Sequence, residues 1–197
     1  MAFRRSEAAE IVGGPATAPL PVKIVIAGGF GAGKTTFVGS ISEITPLTTE
    51  APMTSLGLGI DESHLPDKTT TTVAMDFGRI TLDEDLILYL FGTPGQERFR
   101  FMWDDLVRGA IGAVVLVDTT RLGECFPAVD YFEHQGVPFV VAVNTFHGMI
   151  HHDLEDVREA LAVPPLVPMI YTDARERLST KNALLVLVRH ALMQATS

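Results

Sequence analysis

The run Val22-Lys23-Ile24-Val25-Ile26-Ala27 leads directly into Gly28-Gly29-Phe30-Gly31-Ala32-Gly33-Lys34-Thr35, and residues 35–43 continue with a helical pattern. That order decides the fold. A short β-branched run ended by glycines reads as a buried strand. The eight residues after it satisfy G-x-x-x-x-G-K-[ST], placed between a strand and a helix as the chemistry of that pattern requires. The glycines let successive backbone N–H groups turn inward around a polyphosphate, and Gly33 opens a helix whose positive end faces the anion. Lys34 brings a point charge toward the outer phosphates, and Thr35 offers a hydroxyl to Mg²⁺. The candidate nucleotide site is therefore Gly28, Gly29, Phe30, Gly31, Ala32, Gly33, Lys34 and Thr35, with Thr36 behind them. Lys34 is also a candidate catalytic residue, and Thr35 a candidate metal ligand.

Outward from this loop the chain alternates. Residues 111–117 and 139–143 are continuous apolar runs, the mark of strands buried on both faces, and 169–171 is a shorter candidate. Residues 73–82 and 86–91 flank the polar turn Asp83-Glu84-Asp85 and read as a hairpin. Helical patterns fall near 96–108, 122–134, 153–161 and 180–193. This predicts an α/β fold with a mostly parallel six-stranded sheet, one antiparallel hairpin strand, and helices on both faces. Residues 1–21, with Gly13, Gly14, Pro15, Pro19 and Pro21, read as a flexible leader before a single domain at 22–197. Residues 44–68 show three prolines and two glycines with no period, and a connection that long is usually functional.

Composition excludes several classes. The 197 residues carry 15 Lys+Arg against 24 Asp+Glu, a net charge of −9, which opposes nucleic-acid binding. One cysteine, Cys125, excludes an internal disulfide framework and fits a reducing compartment. No apolar run reaches spanning length, and no secretory or lipidation signal stands at the N-terminus. A soluble cytoplasmic protein is expected.

About sixty residues after the loop comes Leu90-Phe91-Gly92-Thr93-Pro94-Gly95-Gln96-Glu97-Arg98-Phe99. It resembles the second switch of Ras-like small GTPases, Asp-Thr-Ala-Gly-Gln-Glu, and the resemblance extends over most of residues 22–194. It implies the small G-protein fold of P-loop NTPases, bound GTP/GDP with Mg²⁺, and slow, partner-stimulated GTP hydrolysis driving a signalling switch. Gly95 would sense the γ-phosphate through its N–H, and Gln96 would position the attacking water. Thr72-Val73-Ala74-Met75-Asp76-Phe77 resembles the first switch of Rab-type members, which makes Thr72 a second Mg²⁺ ligand. Asn144-Thr145-Phe146-His147 stands where the family reads Asn-Lys-x-Asp. Thr172-Asp173-Ala174 matches the third base motif, with Ala174 offering an N–H to the base.

Two departures stand out. The aspartate that holds a Mg²⁺-bound water is Gly92 here; Asp118 is either a water-mediated substitute or a cap for the next helix. The aspartate that accepts N1–H and the 2-amino group of guanine is His147, and neutral imidazole has one acceptor at most. Its loss would cost about 2–4 kcal/mol of guanine preference unless something, Asp153 for example, replaces it. A narrower resemblance, carried by the switch, the run at 68–78 and Asp173-Ala174-Arg175, is to the actinobacterial conservon GTPases. It implies roadblock/LC7-type and sensor-kinase-like partners and recruitment to the membrane. The alternatives are a degenerate nucleotide-binding scaffold with weak base specificity, and a P-loop kinase or ATPase. Among smaller signals, Phe99, Phe101, Met102 and Trp103 serve either a partner face or the core. Arg98 and Arg100 contact partners or assist catalysis. His147, His151, His152 and Asp153 match no tight metal pattern.

Overall fold

The computed structural model describes residues 19–50, 74–83 and 86–196. A seven-stranded sheet runs in the order β2-β3-β4-β1-β5-β6-β7. Its strands are β1 (Leu20–Gly28), β2 (Leu47–Glu50), β3 (Ala74–Asp83), β4 (Leu86–Gly92), β5 (Gly112–Val117), β6 (Phe139–Asn144) and β7 (Met169–Thr172). β1 pairs in parallel with β4 and β5, and β5–β6 and β6–β7 continue in parallel. β3 is antiparallel to both β2 and β4, so one strand runs against the rest. The helices are α1 (Lys34–Ile41), α2 (Trp103–Val107), α3 (Phe126–Gln135), α4 (Leu154–Ala160) and α5 (Arg177–Ala195).

Strand periodicity divides the core in two. Val25, Ala27, Val115, Val117, Val141 and Val143 face α2, α3 and α4, packing on Trp103, Phe132 and Val157. Ile24, Ile26, Val114, Leu116, Val140 and Ala142 face α1 and α5, packing on Phe37, Ile41, Leu184 and Leu187. Burying each such large side chain contributes about 1.5–3 kcal/mol, which is why β5 and β6 tolerate no polar residue before their ends. The polar residues appear where these strands stop. Asn144 ends β6, Thr172 ends β7, and Asp118 and Thr93 follow β5 and β4, so the parallel strands deliver them to one edge of the sheet.

Four expectations are corrected in detail. The leader boundary moves, because Leu20 and Pro21 already pair with Leu86 and Ile87 as an exposed strand end. A seventh strand, β2, lies inside the stretch expected to be one loop; residues 51–68 of that stretch, and Thr72, lie outside the described residues. The expected helix at 96–108 is a 3-10 segment (Glu97–Met102) followed by α2. The expected helix at 122–134 begins only at Phe126, because a 3-10 segment (Thr119–Glu124) with Arg121 at φ −139, ψ 51 precedes it. Asp118 caps that segment, accepting from Thr120 N–H at 3.0 Å and from the Thr120 hydroxyl at 2.7 Å. Arg121 donates to the same carboxylate from Nε and Nη2 at 3.0 and 2.8 Å. Those bonds favour the cap over a metal-site substitute.

Candidate functional site

The loop between β1 and α1 is built on backbone that side chains disfavour. Gly28, Gly31 and Gly33 hold φ of 139°, 75° and 104°. Space is closed as well at Gly33, where a Cβ would lie 2.6 Å from Asn144 Nδ2, while one on Gly31 would have to displace the Arg121 guanidinium. Phe30 stands outside, 60% exposed, and Thr35 and Thr36 are exposed at the start of α1. Lys34 is buried, donating from Nζ to the Gly28 and Gly29 carbonyls at 2.9 and 2.7 Å. Burial pulls its pKa down to about 8, against the opposing attraction of Asp76. A buried ammonium satisfied by two neutral carbonyls gains strongly from an anion placed beside it.

The switch resembling segment is drawn onto this loop. A Cβ on Gly95 would lie 2.7 Å from Lys34 Nζ and 3.0 Å from Phe30 Cα, so a side chain there would displace the ammonium and press on the loop backbone. Gln96 is exposed and accepts from Arg98 Nε at 3.0 Å. Arg98 lies over the Phe99 ring, and Arg100 pairs with Glu97 at 3.6 Å. The apolar cluster splits: Phe99 and Trp103 are core residues, while Phe101 is 60% exposed.

Sequence reasoning missed Asp76. Its carboxylate accepts the Thr35 hydroxyl at 2.7 Å and is buried. A Cβ on Gly92 would lie 3.0 Å from Asp76 Cβ and 3.1 Å from its Oδ2. The carboxylate from β3 therefore fills the volume that a side chain at position 92 on β4 would occupy. Thr35 and Asp76 form a pair of hard oxygen donors at the phosphate loop, the donor chemistry that Mg²⁺ takes. Among the described residues no group of three or more His, Cys, Asp and Glu is assembled as a metal cluster.

At the far end of the loop Asn144 is a tie. Its Nδ2 donates to the Ala32 carbonyl at 3.0 Å, and its Oδ1 accepts the Ala174 N–H at 3.2 Å. The N–H expected to meet a base is thus engaged by Asn144. Thr145 is buried and bonds the Thr172 carbonyl through both N–H and hydroxyl, at 2.8 and 3.3 Å. His147, at φ 66°, is exposed and lies against Arg175, which also pairs with Asp173. Asp153 stands exposed at the start of α4. Cys125 is buried in the core, where desolvation pushes its thiol pKa up.

Comparison with known proteins places this geometry. The G domain of an iron transporter from T. maritima superposes with a TM-score of 0.60 at 16% identity, covering 87% of this chain and 99% of that one. The cytosolic domain of the same transporter in its apo form gives 0.62 at 14% identity, over 87% of this chain and 64% of that one. The fold is thus that of P-loop G domains. An uncharacterized protein of Methanocaldococcus jannaschii is 27% identical over 62% of this chain and 69% of its own length. The Ras-related protein RABD1 of Arabidopsis thaliana is 24% identical over 64% of this chain and 66% of its own. Ras-related Rab-11C of Dictyostelium discoideum is 34% identical over a shorter stretch, 29% of this chain and 27% of that protein. No helix among the described residues is long and apolar enough to cross a membrane. One family model, described as conserved hypothetical ATP binding protein, matches residues 26–194, and this chain belongs to that family.

Proposed function

We propose that this protein is a Ras-like nucleotide switch that binds GTP with Mg²⁺ and hydrolyses it slowly. The observation that carries the reading is Gly95, seated against both Lys34 and Phe30, which couples the second-switch segment to the phosphate loop. The loop N–H groups and Lys34 hold the phosphate oxygens, and Lys34 leaves its two carbonyl partners to do so. Thr35 and Asp76 would hold the Mg²⁺, Asp76 in place of the carboxylate missing at Gly92, with Thr72 joining in the triphosphate state. When bound, the ion neutralises charge building on the phosphoryl oxygens. Gln96, once released from Arg98, orients the attacking water. Loss of the γ-phosphate frees Gly95 and the segment behind it, and the partner-facing surface relaxes.

Asn144, Thr145, His147, Asp173 and Ala174 form the base end. Roadblock/LC7-type and sensor-kinase-like partners, and membrane recruitment through them, belong to the same proposal by the conservon resemblance. Exposed Phe101 on the switch segment supplies an apolar contact for them. The family description favours ATP as a second reading of the nucleotide. Single-turnover hydrolysis of GTP and ATP, with Mg²⁺ or EDTA, tests the proposal. GTP turnover that Gln96→Leu cuts at least tenfold, with binding retained, supports it. Equal turnover in Gln96→Leu removes that residue from the mechanism, and faster turnover of ATP replaces GTP.

A further inference from the structure

Where the resemblance expects a base-reading carboxylate, position 147 carries an imidazole, yet a carboxylate stands two contacts away. His147 Nδ1 lies 2.6 Å from Arg175 Nη1. Arg175 donates from Nε to Asp173 Oδ1 at 3.0 Å and from Nη2 to Oδ2 at 2.6 Å, and its backbone N–H reaches Oδ1 at 3.0 Å. The Asp173 carboxylate is buried while the Arg175 side chain is 47% exposed. The carboxylate is also held in place. Its own backbone N–H donates to Ser179 Oγ at 2.9 Å, and the next residue, Ala174, is tied through Asn144 to Ala32 of the phosphate loop.

The chemistry of the cluster singles out one member. Guanine presents two donors, N1–H and the 2-amino group, so its reader must accept. Arg175 has no acceptor, and a His147 Nδ1 that faces a guanidinium spends its acceptor there. Asp173 is then the acceptor of the three, and the hydrogen bonds from Arg175 keep it ionised with a pKa of about 2. We propose that Asp173 reads the base in this chain, the carboxylate being supplied by the β7–α5 connection in place of the aspartate absent at position 147. The inference rests on the guanine-nucleotide reading above. Three of the roughly four lone-pair positions of the carboxylate are taken by Arg175. Its exposed side chain yields the Nε bond when a base enters, which leaves two acceptor positions for N1–H and the 2-amino group. Both departures from the Ras-like pattern then have the same form: a carboxylate is lost at one position and regained from a neighbouring element.

The test exploits xanthine, which carries a carbonyl where guanine carries the 2-amino group. The full chain, stripped of nucleotide, is titrated with GDP, XDP and ADP in Mg²⁺, alongside Asp173→Asn and Asp173→Ser, each checked for fold by circular dichroism. The unaltered chain binds GDP best. Asp173→Asn loses GDP affinity on the order of 10- to 100-fold and gains XDP, reversing the order. Asp173→Ser brings GDP and XDP to parity, which keeps the test decisive should the carboxamide not fold. A folded Asp173 variant that still prefers GDP overturns the assignment and leaves the guanine reading standing. An unaltered chain without guanine preference overturns both.

Discussion

Asp76→Ala removes the carboxylate that stands at Thr35, and its consequence follows from two distances. The Thr35 hydroxyl lies 2.7 Å from Asp76 Oδ2, and a Cβ on Gly92 would lie 3.0 Å from Asp76 Cβ. Losing one charge-assisted contact costs about 1.5–3 kcal/mol, so Mg²⁺-dependent nucleotide affinity falls by about 10- to 150-fold. Gly92→Asp alone places a second carboxylate in the same volume. At about 4 Å and an effective dielectric near 20, the repulsion is about 4 kcal/mol, so this variant melts earlier when stripped of metal. Together the two changes move the carboxylate from β3 to β4 and restore most of the lost affinity. The assay is retention of a fluorescent guanine nucleotide during Mg²⁺ titration, with thermal melting of the metal-free proteins. Unchanged Mg²⁺ dependence in Asp76→Ala would refute the reasoning. A double variant no better than Asp76→Ala alone would refute the claim that positions 76 and 92 are interchangeable.

Other changes have equally definite outcomes. Lys34 is a buried cation with its pKa lowered from 10.5 to about 8, so its charge opposes folding below pH 8 and this cost is relieved as pH rises from about 8 toward 10.5. Lys34→Met should therefore melt later than the unaltered nucleotide-free chain at pH 7, lose that advantage by pH 10.5, and retain no nucleotide; melting curves across this range check it, and a constant difference speaks against it. Asp173, lowered to about 2 by Arg175, stabilises the fold above pH 3.8 and loses that contribution as pH falls through 2, so Asp173→Asn should show a shallower acid melting slope. Gly33→Ala forces an L-residue into φ 104° and a Cβ toward Asn144 Nδ2 at 2.6 Å; a loss of nucleotide retention is expected, and filter binding measures it. Phe132→Ala, on the buried face of α3 against Trp103 and Phe139, should cost about 3–5 kcal/mol in urea unfolding while leaving the nucleotide end intact.

The parts of the fold legible in sequence were those where one local signal sufficed. β5 and β6 are buried at every residue, so their apolar runs left no ambiguity. The phosphate loop carried its own glycines. β2 was hidden because Leu47–Glu50 is four residues long, too short for a period, and Pro46 and Pro52 bracket it as they would a loop. The late start of α3 was hidden because Thr119–Glu124 is a 3-10 segment, capped by Asp118 and broken at Arg121, so its residues read as helical without forming the α-helix.

Asp76 was hidden by register. The hairpin end pairs Asp83 with Leu86, and continuing that count would set Gly92 opposite Phe77. An irregularity between Thr81 and Asp83 shifts the pairing by one, so that Phe77 meets Phe91 and Asp76 comes to the Gly92 side chain's place. A missing aspartate was visible at position 92; its replacement, 41 residues from Thr35, depended on a bulge that no local pattern announces. The Asp173–Arg175 pair had no better signal, since a three-residue match at a strand end looks like any strand-to-helix connection.

The measurement closest to the central claim is competition of GTP, ATP and XTP against a fluorescent GDP analogue on the nucleotide-stripped chain, in Mg²⁺ and in EDTA. Displacement by GTP well below the concentrations that ATP and XTP require, lost when EDTA removes the ion, is the predicted result. Equal displacement by all three, indifferent to EDTA, would contradict it.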